Sequence, residues 1–166
     1  MILIAYDGSD DAKAALEHIA EFAPGQPAVV VTVWEPYVHL VTRYPSTSTL
    51  VGAEDSERID DASRADAERT AQEGAALART HGLDASGRAV TRQDSMADTL
   101  LAEADRADAG AIVVGSRGLG GFGSLLLGSV SHALLQHADR PVVIVPSPKV
   151  AQKRNEHRRR SGDETA

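Results

Sequence analysis

Hydrophobic residues in this chain fall into two kinds of grouping. Short unbroken apolar runs occupy residues 2–5, 28–33, 111–114 and 142–145, and a fifth, more polar run spans 85–91. Short runs rich in Val and Ile predict strands, and the unbroken ones predict strands covered on both faces. Between them apolar residues return at intervals of three and four. Ala12, Ala15, Leu16, Ile19 and Ala20 form one stripe, Ala97, Leu100, Leu101 and Ala104 a second, and Val130, Ala133, Leu134 and His137 a third. That spacing predicts helices with one buried face. Strands alternating with helices predict an α/β fold, a parallel sheet with helices on both faces.

The punctuation agrees. Asp7-Gly8-Ser9 turns the chain out of the first run, and Ser9 is a good N-cap with Asp10 and Asp11 in the first turn. Pro24, Gly25 and Pro27 end that helix. Residues 57–79 are alanine-rich with strong helix propensity and a faint apolar stripe, which predicts a helix lying shallowly on the sheet. Gly82 follows as its C-cap. Ser95 and Asp98 form a variant of the capping box. Run 85–91 is polar enough for a sheet edge, and Pro141 and Pro146 flank Val142–Val145 as they would an edge strand. Residues 35–56 lack a helical period and read as a long loop: a lid, a partner-binding segment or a disordered stretch. From residue 147 onward no apolar period remains, so a basic tail without regular structure is expected after a domain of residues 1–146.

Composition narrows the class. Apolar residues make up 42% and charged ones 25%, ordinary for a globular chain of 166 residues, which is one domain's worth. No apolar run is long enough for a membrane span and there is no signal-peptide pattern, so the expected location is cytoplasmic. Zero cysteines exclude disulfides and thiolate chemistry. The net charge of −7 divides unevenly: residues 149–166 carry six Lys/Arg against three acids, and the remainder eleven against twenty-one, or −10. An acidic body argues against nucleic acid as a partner.

One segment stands apart. Six of the fourteen glycines fall between residues 115 and 128, directly after the run 111–114 and directly before the stripe that starts at Val130. Strand, glycine-rich loop and helix aim backbone N–H groups at one point, which suits a phosphate. The loop is not of the Walker type, since no lysine lies between Lys13 and Lys149. Gly118, Gly120 and Gly123 spell G-x-G-x-x-G, but after the fourth strand and with no acidic residue about twenty positions on at the end of a next strand.

Gly115, Gly118, Gly128 and Ser129 give Gly-x-x-Gly, nine residues, Gly-Ser, which resembles the signature of the ATP-binding branch of the universal stress protein family. The resemblance extends to residues 2–9 and 140–145 and so covers about 1–146. It implies a single doubly wound, Rossmann-like sheet of five parallel strands in the order 3-2-1-4-5. It further implies an ATP site, with Mg²⁺ sharing the phosphate charge, built from Ala5, Asp7, Val33, Val114, Gly115, Ser116, Arg117, Gly118, Gly128, Ser129 and Val130. In such a site Asp7 bonds the ribose, the Val33 backbone recognises adenine, and the loop holds the phosphates. The family also implies a homodimer through Val142–Val145, with Val143 and Val145 or their neighbours at the seam, and a role in stress response with protein partners not identified by the sequence. The motif supplies no base or metal-binding carboxylates for hydrolysis, so binding is favoured over a slow ATPase or phosphotransfer activity. Cyclic AMP would share the adenine and ribose contacts.

Overall fold

In the computed structural model, residues 1–43, 52–118 and 127–163 are described, with side chains up to residue 156. Strand β1 (Ile2–Ala5) leads through the Asp7-Gly8-Ser9 turn into α1 (Asp10–Phe22), whose first turn is capped by Ser9 Oγ accepting from the Ala12 amide at 3.2 Å. Strand β2 (Pro27–Trp34) is followed by a short helix, α2 (Tyr37–Arg43), and a long one, α3 (Ala53–Thr80). Then come β3 (Asp84–Thr91), α4 (Met96–Arg106), β4 (Ala111–Gly115), α5 (Ser129–His137), β5 (Val142–Val145) and α6 (Pro148–Asp163). The five strands form one all-parallel sheet in the order β3-β2-β1-β4-β5.

Alternating residues of the central strands feed two cores, and this is why those strands read as unbroken apolar runs. Ile4, Val30 and Val113 face α1 and α3, while Leu3, Val29, Val31, Ile112 and Val114 face α4 and α5. Strands β3 and β5 are the two edges, as their polarity and flanking prolines predict. Val145 is buried in its own core, whereas Val143 is exposed, so of the two residues expected at a dimer seam only Val143 faces outward.

The C-terminal half of α3 lies closer to the sheet than its faint stripe suggests. Its buried residues are all small: Ala67, Ala71, Gly74, Ala75 and Ala78. A Cβ on Gly87 of β3 would sit 2.5 Å from the Ala71 carbonyl oxygen, and one on Gly74 would sit 2.7 Å from the Tyr6 ring. Small side chains here permit contact between backbones. The helix ends in a Schellman motif: Leu83 N–H donates to Ala78 O, Gly82 N–H to Arg79 O, and Gly82 takes φ of +91°.

Two expectations are corrected. The loop foreseen over residues 35–56 contains α2 and the first turn of α3, and residues 44–51 lie outside the described ones. Helix α2 buries none of its residues. It is held from outside, with the Tyr37 amide donating to Asp60 Oδ1 at 2.6 Å and Glu35 paired to Arg43 at 2.8 Å and Arg92 at 3.1 Å. The tail expected to lack regular structure forms α6 over Pro148–Asp163. Proline at the first helical position is already in helical φ, the Ser147 carbonyl accepts from Ala151 N–H, and Val150 is buried, which anchors the helix at its start.

Candidate functional site

The C-terminal ends of β1 and β4 are adjacent because β1 pairs with β4 through Ile2–Ala111, Leu3–Ile112 and Ile4–Val113. Two loops leave these ends and meet. From β1 comes Asp7, whose Oδ1 accepts from the Ser9 amide at 3.0 Å, so the carboxylate shapes its own turn. Its other oxygen lies against the second loop: a Cβ built on Gly118 would be 2.5 Å from Asp7 Oδ2. A side chain at 118 would therefore push the Asp7 carboxylate from its place.

The glycine motif is tied together from within. Gly128 N–H donates to the Ser116 carbonyl at 2.8 Å, and the buried Ser131 hydroxyl donates to the Gly115 carbonyl at 2.9 Å. These bonds bring the N-terminus of α5 to the end of β4. Gly115 itself is a packing residue, since its Cβ would sit 2.7 Å from the Asp11 backbone in the first turn of α1. Gly120 and Gly123 lie outside the described residues.

A cleft of about 430 Å³ opens between the loops, within the range of small-molecule sites. Ten of the eleven residues expected at a site line it: Ala5, Asp7, Val33, Val114, Gly115, Arg117, Gly118, Gly128, Ser129 and Val130. Ser116 does not. It is fully buried, and its hydroxyl donates to Asp11 Oδ2 at 2.7 Å, away from the cleft. Backbone alternation places Val33 well. The Val31 carbonyl bonds the Tyr6 amide, so Val33, two residues on, turns its N–H and C=O to the same side, past the end of β1 and into the cleft.

The walls include residues the sequence did not single out. Met96 and Leu100 of α4, with Val31 and Leu127, make one side apolar. Leu100 belonged to a legible stripe, but a stripe does not say which of its members face a cavity. Among the described residues, Asp7 and Arg117 are the only fully charged side chains in the lining. Tyr6 also lines the cleft, and burial, followed by the nearby charges of Glu73, Asp7 and Glu17, raises its phenol above the usual value. Among the described residues no group of three or more His, Asp or Glu is arranged to hold a metal ion.

The arrangement can take a flat apolar group against Met96, Leu100 and the Val33 backbone, a hydroxylated group at Asp7, and an anion at the loop and the α5 N-terminus. The model of the universal stress protein family matches residues 1–146. The chain is 35% identical over 146 residues to a universal stress protein of Thermus aquaticus, covering 87% of this chain and 96% of that one. It is 32% identical over 149 residues to a universal stress protein of Mycolicibacterium smegmatis, covering 87% of this chain and 47% of that protein, so it spans about half that relative's length. Among solved structures the fold matches a universal stress protein of Arabidopsis thaliana with AMP bound (20% identity, TM-score 0.57, 87% and 90% of the two chains). It likewise matches one from Archaeoglobus fulgidus in complex with dAMP (24%, 0.52, 87% and 95%). A third match is a universal stress protein in complex with cAMP (22%, 0.57, 88% and 96%).

Proposed function

The chain belongs to the universal stress protein family, and on that premise we propose that it is an ATP-binding regulatory protein whose nucleotide occupancy alters its shape or its choice of protein partner. The observation that carries this reading is the meeting of Gly118 with Asp7, which makes one cleft from a sugar-binding carboxylate and a phosphate-binding loop. Adenine lies on Met96 and Leu100 and reads the Val33 backbone, and the ribose bonds Asp7. The phosphates meet backbone N–H groups of the loop, the first turn of α5 and the Ser129 hydroxyl. Ser116 serves the loop and not the ligand. With no carboxylate cluster among the described residues, Mg²⁺ would be carried in on the phosphate oxygens. Cyclic AMP is a second reading, favoured by a lining whose two full charges cancel and by a relative's structure that holds it.

Among the described residues the lining offers one carboxylate, Asp7, which this reading assigns to the ribose, so binding is favoured over hydrolysis. A cytoplasmic, stress-responsive homodimer joined through β5 completes the reading, with Val143 outward at an open strand edge. Mass spectrometry of the nucleotide that co-purifies, followed by calorimetry with ATP, AMP and cyclic AMP, tests the ligand. Micromolar ATP binding is expected, from about 0.3 kcal/mol per heavy atom over roughly thirty atoms. Failure of every adenine nucleotide to bind at millimolar concentration refutes the reading. Light scattering tests the dimer, and a monomer at all concentrations refutes that part.

A further inference from the structure

The loop of the motif carries one charge. From Gly115 to Val130 the sequence contains a single ionisable side chain, Arg117, and it lines the cleft. Behind it lies Asp11, in the first turn of α1, a carboxylate whose side chain is only 10% exposed. Its Oδ2 accepts from Ser116 Oγ at 2.7 Å and stands 3.9 Å from Arg117 Nε. One buried oxygen thus bonds one residue of the loop and stands at ion-pair range of the next. An acid in the first turn of a helix has an ordinary account in the helix dipole, but exposed Asp10 already meets that need. Burying a second charge is unfavourable unless its partners compensate for it, and those partners are the loop.

We propose that Asp11 is a positioning residue that governs phosphate recognition at this site. Its bond to Ser116 fixes the entry of the loop, and its charge offsets that of Arg117. The site therefore takes nucleotides of low charge directly and prefers ATP that is accompanied by a divalent cation. The inference rests on the nucleotide reading and adds charge selectivity to it. Asp7 and Arg117 cancel in the lining, and Asp11 behind them leaves the local sum at −1. Metal-free ATP carries several more negative charges than AMP and meets that sum in a partly desolvated cleft, where Coulomb terms are strong.

The two roles separate by substitution. Asp11→Asn keeps an oxygen acceptor for Ser116 and removes the charge; Asp11→Ala removes both. Calorimetry is run with adenosine, AMP and ATP in chelator, and with ATP in Mg²⁺. The wild type is expected to bind ATP about tenfold more weakly in chelator than in Mg²⁺, and Asp11→Asn to regain about that factor without metal while adenosine stays within about twofold. Asp11→Ala is expected to weaken all three ligands together. An ATP-to-adenosine affinity ratio in chelator that is the same in Asp11→Asn and wild type overturns the proposal. Should the asparagine variant not fold, Asp11→Ser, which also keeps a neutral acceptor, is read by the same ratio. A wild type that binds ATP, with the ratio unmoved, overturns this inference alone. A wild type that binds no adenine ligand removes the nucleotide reading and this inference together.

Discussion

Gly118 shows how much can depend on a single missing carbon. Its absent Cβ leaves room for Asp7 Oδ2, so Gly118→Ala displaces the carboxylate expected to hold the ribose. Adenosine, AMP and ATP should all weaken by about 1–2 kcal/mol, the scale of one hydrogen bond to a charged group, as calorimetry would measure. Ser129→Ala should instead spare adenosine and AMP and weaken ATP alone, because its hydroxyl sits at the α5 N-terminus. Tyr6 gives a pH test. Its phenol is raised in the folded state, by burial first and neighbouring carboxylates second, so the folded protein holds that proton more tightly than the unfolded chain. The resulting stability is fully present below the ordinary phenol value of about 10 and is lost as pH climbs through the raised one. Thermal melts should fall more steeply above about pH 10 in wild type than in Tyr6→Phe. The motif glycines were legible because they fall in one short segment. The role of Asp11 was not, since nothing local says that a first-turn acid will face a loop more than a hundred residues away.

At the scale of elements, propensity and period found the helices that bury a stripe and missed those held by other means. Helix α2 has no buried residue, and its first free N–H is satisfied by Asp60, twenty-three positions along the chain. No window around residues 37–43 contains that partner. The start of α6 did carry a signal, Ser147 followed by Pro148, but the polar stretch behind it outweighed one buried valine. The closeness of α3 to the sheet was illegible for a related reason: a faint stripe of alanines reads as weak burial, whereas small residues opposite Gly87 mean near contact. Gly87→Ala should cost roughly 1–3 kcal/mol by overpacking, seen as a lower denaturation midpoint. Gly110→Ala, with no atom within 4 Å of the added carbon, should change stability little. Val150→Ala should lose roughly 1–2 kcal/mol, while deletion of residues 152–166 should leave the melting temperature and nucleotide affinity nearly unchanged.

For the molecule as a whole, strand order could be expected only from the family resemblance, because period and propensity do not say which strands are neighbours. That order sets where the cleft forms: the chain passes outward through β2 and β3, then returns to the other side of β1. The cleft is thus assembled from Ala5, Tyr6, Asp7 and Ala12, from Val31 and Val33, from Met96 and Leu100, and from residues at the end of β4 and the start of α5, which are far apart along the chain. This return has a consequence during synthesis. Once β2 has emerged, β1 can pair on one side, but its other flank must wait for β4 about eighty residues later. At about 5–20 residues per second the ribosome leaves that flank bare for roughly 4–16 seconds. The nascent chain is therefore most vulnerable to strand-to-strand association in that interval. Nucleotide cannot shield it then, because half of the binding cleft has not yet been translated.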